Sequence, residues 1–229
     1  MNNKTDDMLV HPCTAIKLLE RSVKDVGLNK IIRDRFYEKT REAWIASVFL
    51  LALRKIEGHP WWFKVNSDKH LAPDIYAYRF IEYEPRKVER QKRLIEVFRW
   101  VKTAKTTLLE EIERKIKKNY PSTFTLVCYV MKEEKVELQK IYTTLKKINP
   151  NLFEIWIVGT SKEKLRNILV GRIWPEVFST KINLEESCIK TKDEPKILVP
   201  HRGYVKNSFY EKIGKVAILK PDFSLENID

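Results

Sequence analysis

The sequence predicts an α/β protein with a central mixed β-sheet flanked by helices. Three observations carry this prediction. Apolar residues recur at helical spacing through much of residues 14–57. Short aromatic and β-branched segments, typical of strands, follow this region. Residues 123–159 then read as an apolar strand, an amphipathic helix and a second apolar strand.

The second half of the N-terminal region predicts a buried central helix. The segment from Glu42 onward is apolar nearly all round, which is typical of a helix inside the core rather than on its surface. Gly58 and Pro60 end it, because glycine suits the position after a helix and proline cannot continue one. The helical spacing is carried by Ile45, Val48, Phe49, Ala52 and Ile56.

Two predicted strands and a long predicted helix come next. Residues 61–65 and 74–84 have strand composition, and Pro85 closes the second strand. Residues 86–119 are predicted to form one long helix, bent or broken near 103–107. This segment holds 12 Lys and Arg against 5 Asp and Glu, a net charge of +7. Its apolar residues would form the buried stripe, so we expect the charge on its exposed face.

A β-α-β unit is the clearest pattern in the chain. The strands are predicted at 123–131 and 153–159 and the helix at 136–148, so the crossover implies parallel strands with a right-handed connection. Ser161 is predicted to cap a short helix over 162–169. Residues 1–170 are therefore predicted to form the core, and 171–229 a C-terminal extension of strands and loops packed on it.

Charge and cysteine content indicate the partner and the compartment. The chain has 44 Lys and Arg against 31 Asp and Glu, a net charge of +13, which favours a protein that meets phosphates. Its three cysteines, Cys13, Cys128 and Cys188, are far apart and form no CxxC pair, as expected in a reducing compartment. With no signal-peptide pattern and no long apolar run, we expect a cytoplasmic protein without a membrane span.

Several of these features together resemble the PD-(D/E)xK nuclease superfamily. They are a long helix bearing Glu42, an aromatic strand, and Ala72-Pro73-Asp74-Ile75 opening a strand with acidic residues beyond it. The resemblance covers roughly residues 36–160 and implies a core like that of the restriction endonucleases. It implies a metal-dependent DNA endonuclease that hydrolyses phosphodiester bonds with Mg²⁺ or Mn²⁺ as cofactor. We also expect that such a protein can form a homodimer.

The resemblance implies the site residues. In the superfamily the Asp after Pro binds a divalent metal, and an acidic residue on the adjacent strand shares it. Asp74 would therefore be the first metal ligand, Glu82 or Glu84 the second, and Glu42 the helix-borne carboxylate. Hard Mg²⁺ prefers such oxygen ligands.

The superfamily also has a Lys two positions after the second acid, which positions or activates the attacking water. Neither Glu82 nor Glu84 is followed by Lys at that distance. Lys87, Lys102 and Lys105 are the candidates for a displaced catalytic amine.

The distance along the predicted strand leaves several arrangements open. If residues 74–84 form one straight strand, Asp74 and Glu82 lie about 26 Å apart, too far to share an ion. The two could meet if the chain folds back at Arg79 and Phe80. Alternatively, Asp74 pairs with Glu42, and the second strand comes from elsewhere.

The basic segment and the β-α-β unit suggest binding sites and competing functions. We expect nucleic acid, most readily DNA, to contact Arg86, Arg90, Arg93, Lys102 and Lys105. One alternative is a catalytically inactive protein of the nuclease fold that binds nucleic acid or a partner. Another is a nucleotide-binding regulator, because Gly-Thr-Ser at 159–161 would receive a phosphate if a helix began there.

Overall fold

The computed structural model describes residues 8–68, 70–84, 87–132, 135–161, 164–200, 210–213 and 216–219. These residues form strands and α-helices in a clear order along the chain. The order is β1 (Leu9–Val10), α1 (Pro12–Val26), α2 (Leu28–Arg33), α3 (Glu38–Glu57), β2 (Trp62–Val65), β3 (Ile75–Glu84), β4 (Lys87–Trp100), α4 (Leu108–Ile116), β5 (Phe124–Val130), α5 (Leu138–Ile148), β6 (Glu154–Ser161), β7 (Lys164–Trp174), β8 (Phe178–Asn183), α6 (Leu184–Lys190), β9 (Ile197–Pro200), β10 (Tyr210–Ile213) and β11 (Val216–Leu219).

The described strands form one mixed sheet of 11 strands. Its order is β10-β11-β9-β1-β2-β3-β4-β5-β6-β7-β8. β4, β5 and β6 are parallel to one another, and the other neighbouring strands pair antiparallel. The mixed α/β architecture predicted from the sequence is confirmed, and so is the parallel pairing of β5 with β6.

Helices cover both faces of the sheet. α1 and α3 pack on one face, above the inward-facing residues of β3 to β8. α4 and α5 pack on the other face, above β4 to β7. The predicted central helix is confirmed as α3, in which every residue from Ile45 to Leu53 is buried. It ends at Gly58, whose left-handed conformation (φ 78°) is strained for any residue with a side chain.

The single long helix predicted over 86–119 is wrong. Residues 87–100 form β4, which pairs with β3 on one side and β5 on the other, and α4 follows after a short loop. The consecutive apolar residues Leu94 and Ile95, and Val97 and Phe98, fit a strand covered on both faces better than a helical stripe. Ile95 and Val97 face α3, whereas Phe98 faces α4.

α4 begins independently of the preceding strand. The Thr107 hydroxyl accepts a hydrogen bond from the Glu110 backbone N–H, and the Glu110 carboxylate accepts one from the Thr107 backbone N–H. This reciprocal capping box fixes the first turn of the helix.

The short helix predicted over 162–169 is also wrong. β6 continues to Ser161, and β7, which starts at Lys164, runs back antiparallel to it. Residues 159–161 are therefore part of a strand, without a helix N-terminus beside them, which removes the basis for a phosphate site there. The domain boundary predicted at residue 170 falls inside β7.

The C-terminal segment brings the two ends of the described chain together. Beyond β8 it forms α6, which was not predicted, and β9, which pairs with β1. Cys13 of α1 and Cys188 of α6 form a disulfide across 175 residues. None of the helices in the described ranges has the length and apolar character needed to span a bilayer.

Candidate active site

Asp74 and Glu96 face each other across the β3–β4 hairpin. Ile75 pairs with Ile95, so the antiparallel register extended by one residue sets Asp74 opposite Glu96. Residues directly opposite in this way have Cβ atoms about 4.5–5.5 Å apart. Asp74 lies just before β3 begins, and its Oδ2 accepts a hydrogen bond from the backbone N–H of Val97 (2.9 Å). The carboxylate therefore bonds a backbone N–H of β4 at a point where the pairing of β4 with β3 has ended.

The turn between β2 and β3 holds Asp74 in this position. The backbone N–H of Asn66 donates to the Asp74 carbonyl at 2.7 Å. The side-chain amide of Asn66 donates to the carbonyl of Pro73 at 3.0 Å. These contacts hold the backbone of the segment that leads into β3, and with it the position of Asp74.

Glu96 is a buried carboxylate with two donors from the following helix and loop. It is 8% exposed. Its Oε1 accepts hydrogen bonds from Lys115 Nζ on α4 (3.1 Å) and from the Tyr120 hydroxyl (2.8 Å). Burial and the neighbouring Glu96 raise the pKa of Tyr120, so its hydroxyl stays a donor at neutral pH. Lys115 is as deeply buried as Glu96, at 8% exposure.

The first turn of α3 adds a lysine and a third carboxylate. Lys39 Nζ lies 2.9 Å from Glu42 Oε2 and 3.4 Å from Asp74 Oδ1. Lys39 thus bridges the helix and the start of β3. Glu42 and Asp74, which the sequence placed together as one alternative, both contact this lysine.

The electrostatics of the cluster disfavour its negative charges. Burial raises the pKa of Asp74, and the charge of Glu96 raises it further, against the opposing effects of the Val97 N–H, Lys39 and Lys115. Burial also raises the pKa of Glu42, with Asp74 contributing and Lys39 opposing. Such carboxylates are stabilised by any additional cation near them, and carboxylates with a raised pKa are common at functional sites.

Asp74 and Glu96 suit a divalent cation of the magnesium type. Mg²⁺ is usually held by one or two carboxylates, with water and substrate phosphate completing its shell. The like-charge repulsion that raises the pKa of Asp74 is the interaction that such a cation would relieve. In the described part of the chain, no group of three or more His, Cys, Asp or Glu residues could hold a metal ion. Two carboxylates are within the number of protein ligands that Mg²⁺ usually takes.

The other predicted acids lie elsewhere. β3 is a continuous strand, so Glu82 and Glu84 lie near its far end, at the hairpin turn, and Glu82 is about 26 Å from Asp74. Fold-back at Arg79 and Phe80 does not occur. The remaining alternative, in which the second strand comes from elsewhere, describes the structure, with Glu96 on β4 as its acid.

The predicted basic residues are spread over different environments. Lys87 opens β4 at the hairpin end, and Arg86 lies outside the described residues. Lys102 and Lys105 are exposed in the loop between β4 and α4. Arg90 is exposed on β4, whereas Arg93 is buried, 9% exposed, on the face covered by α3.

Arg93 belongs to a buried ion network at the other end of α3. It pairs with Glu57 of α3 (3.2 Å) and with Glu154 of β6, and Glu154 also accepts from Arg172 of β7 (3.3 Å). Arg79 of β3 pairs with Glu57 at 2.6 Å. Because these charges compensate one another, the network ties strands to α3 and does not offer Arg93 to a ligand.

Glu96, Lys115, Lys39 and Tyr120 were missed as site residues. The cause is the long-helix prediction, which set Glu96 and Lys115 on one rod far from Asp74. Glu96-Val97-Phe98 has an acid on the strand next to Asp74, but Phe98 stands where a Lys would complete a recognisable motif. The consecutive apolar pairs on either side of Glu96, typical of a strand covered on both faces, are the signal that could have identified it.

Comparison with known proteins adds no relative to this description. No family model, no curated protein and no solved structure matches the chain.

Proposed function

We propose that this protein is a metal-dependent DNA endonuclease of the PD-(D/E)xK type. One observation carries the proposal. Asp74, which follows a proline, faces Glu96 on the adjacent strand, and the ammonium of Lys115 lies 3.1 Å from Glu96 Oε1. Two carboxylates and an amine in one buried cluster are the groups that phosphodiester hydrolysis with a divalent cation requires.

The roles follow from the chemistry of each group. Asp74 and Glu96 would hold Mg²⁺ or Mn²⁺, which polarises the scissile phosphate and lowers the pKa of the attacking water. The water oxygen bonds to phosphorus as the bond to the leaving sugar oxygen breaks. We assign Lys115 to orienting that water and Lys39 to balancing the phosphate charge. Tyr120 orients Glu96 through its 2.8 Å hydrogen bond.

The amine is displaced from the position that the superfamily pattern predicts. Two residues after Glu96 the chain has Phe98, and the Lys115 ammonium lies 5.4 Å from the centre of that ring. The proposal therefore replaces Lys87, Lys102 and Lys105 by a lysine from α4 as the catalytic amine. It also replaces Glu82 and Glu84 by Glu96 and retains Glu42 at the rim of the site.

The test is cleavage of supercoiled plasmid DNA with Mg²⁺ or Mn²⁺. We expect the wild type to nick the plasmid, EDTA to stop it, and Asp74→Ala and Glu96→Gln each to abolish nicking. Glu176→Gln, whose side chain is 70% exposed on the far side of the ion network, is the matched control and keeps full activity. Nicking by Asp74→Ala at the wild-type rate would contradict the assignment.

An inactive nuclease-fold protein that binds nucleic acid is the second candidate. Lys39 and Lys115 already compensate two of the three carboxylates, so the cluster can persist without a cation. The net charge of +13 serves binding whether or not a bond is cut. DNA binding that weakens with salt, without cleavage under Mg²⁺, Mn²⁺ or Co²⁺, would favour this candidate.

A further inference from the structure

The β3 strand carries a row of aromatic side chains on the face that also bears the candidate site. Alternate residues of a strand point to the same face, so Tyr76, Tyr78 and Phe80 lie on the side opposite Ile75 and Ala77, which are buried beneath α3. The three aromatic rings are half-buried. Tyr78 and Phe80 pack at one edge against a small apolar cluster of Leu9, Trp62 and Leu198. The rings of Tyr78 and Phe80 are therefore held in place by this cluster, and all three rings keep accessible surface.

Cationic side chains stand among these rings. Lys92 Nζ lies 4.7 Å from the centre of the Tyr76 ring and 6.0 Å from that of Tyr78. The Arg90 guanidinium lies 5.7 Å from the Tyr78 ring, and Lys64 Nζ lies 5.8 Å from the Tyr76 ring. Lys92 and Arg90 are both exposed. An anionic ligand can therefore reach both of them.

This surface, hereafter the tyrosine face (Tyr76, Tyr78, Phe80, Arg90 and Lys92), leads directly to the candidate site. Phe80 pairs with Arg90, Tyr78 with Lys92 and Tyr76 with Leu94. The next pair on the same face is Asp74 with Glu96. Each step of two residues along a strand is roughly 6.6 Å, so the face extends about 20 Å from the carboxylates.

We propose that the tyrosine face binds single-stranded nucleic acid and guides it to Asp74 and Glu96. The guiding role rests on the proposed function, and the binding does not. Unpaired bases expose flat π surfaces that stack on aromatic rings, while Lys and Arg between the rings meet the backbone phosphates. A duplex hides those base surfaces in its own stack, so it would engage the cations alone. Rings interleaved with cations therefore favour an unpaired strand over a duplex.

The experiment measures binding of the full chain by fluorescence anisotropy in EDTA, where cleavage cannot contribute. The probes are oligo-dT and oligo-U of about 15 nucleotides, and a blunt DNA duplex of the same length. We expect one or both single strands to bind at least tenfold more tightly than the duplex. The two single strands distinguish DNA from RNA as the source of the unpaired bases.

Variants of the tyrosine face locate the binding. Tyr76→Leu removes a ring and keeps an apolar side chain, and we expect about tenfold weaker binding. Lys92→Gln removes one phosphate contact, so the slope of log affinity against log salt becomes shallower by about 0.7. Tyr142→Leu and Lys147→Gln on α5 are the matched controls and change affinity less than twofold. Thermal melting confirms that each variant is folded.

The outcomes separate this inference from the proposed function. Duplex binding as tight as that of both single strands overturns it, and so does unchanged binding by folded Tyr76→Leu. Single-strand preference lost in Tyr76→Leu supports it even if plasmid DNA is never cut. Plasmid cleavage without single-strand preference leaves the proposed function standing and rejects the tyrosine face.

Discussion

The ammonium of Lys115 on α4 lies 3.1 Å from a carboxylate oxygen of Glu96 on β4, and both side chains are buried. The two residues are 19 positions apart and come from different types of secondary structure. Their contact joins α4 to the strand that faces Asp74. It places a buried amine beside Glu96, which the side chain of Phe98, two residues after Glu96, cannot provide.

Replacing Lys115 tests whether this amine is catalytic. We expect Lys115→Met to lower the nicking rate by about 100-fold or more, because misplacing the attacking water costs about that much. DNA binding in EDTA should change less than twofold. Lys118→Met, an exposed lysine just after the helix, is the control and keeps its activity.

A second variant separates chemistry from structural support. The double variant Phe98→Lys/Lys115→Met places an amine at the second position after Glu96. The new lysine can take the place of the Lys115 ammonium, which lies over the Phe98 ring in the wild type. We expect at least tenfold recovery of the nicking rate over Lys115→Met. Full activity of the single variant Lys115→Met would reject a catalytic role for this lysine.

Neutralising Asp74 should stabilise the fold. The pKa of Asp74 is raised from its ordinary value of 3.8, so as pH rises the unfolded chain loses this proton before the folded chain does. Ionisation therefore lowers the free energy of unfolding between the ordinary and the raised pKa, and the loss persists above that window. Asn keeps an oxygen that accepts from the Val97 N–H.

We accordingly expect Asp74→Asn to increase the free energy of unfolding at pH 7 by about 0.5–2 kcal/mol, as removal of a strained functional group commonly does. Urea unfolding at pH 7 and near pH 3.5 measures it, and the gain should disappear at the lower pH. Glu20→Gln, an exposed change on α1, is the control. A variant less stable than the wild type at pH 7 would contradict the raised pKa.

The residues of the buried ion network should contribute unequally to the free energy of unfolding, according to how deeply each is buried. Glu154, with its side chain 9% exposed, accepts from Arg93, from Arg172 and from the Trp156 indole N–H. Glu154→Ala leaves these cations buried without their partner, and we expect it to cost about 3–5 kcal/mol in urea unfolding. Glu176→Ala removes an exposed partner of Arg172 and should cost less than about 1 kcal/mol. Equal losses from the two variants would contradict the dependence on burial.

The Cys13–Cys188 disulfide should make thermal stability sensitive to reductant. It closes a loop across 175 residues, and such a cross-link restricts the unfolded chain by about 2–4 kcal/mol. We expect reductant to lower Tm by roughly 5–15 °C in differential scanning fluorimetry. The double variant Cys13→Ser/Cys188→Ser should have the Tm of the reduced wild type, whether or not reductant is present. Thiol titration of the unfolded, oxidised wild type should find only Cys128, and three thiols would show that the bond does not form.

Much of the fold could be predicted because its signals are local. The all-round apolar stretch gave α3, which runs unbroken to Gly58, and the β-α-β pattern gave β5, α5 and β6 with parallel strands. Pro73-Asp74 at the start of a strand was enough to identify one residue of the site. Glu42 was named as a candidate from the resemblance, as the helix-borne carboxylate.

The rest of the site depended on pairing that no local pattern encodes. β4 contains basic residues that are also good helix formers, and it is a strand because β3 and β5 bond it on both sides. β7 is a strand because it pairs antiparallel with β6. The helix start predicted from Ser161 does not form. In both segments the tertiary hydrogen bonds overrode the local preference.

The sequence by itself determined the α/β class, the buried helix α3 and the basic character of the chain, and it named Asp74 and Glu42 as candidates for the site. Only the tertiary structure decided which acid stands opposite Asp74 and which lysine meets it. Register is the physical reason, because a strand shifted by one residue turns every side chain to the other face of the sheet. Glu96 rather than Glu82 or Glu84 thus joins Asp74, and Lys115 reaches Glu96 only after α4 has packed on that face.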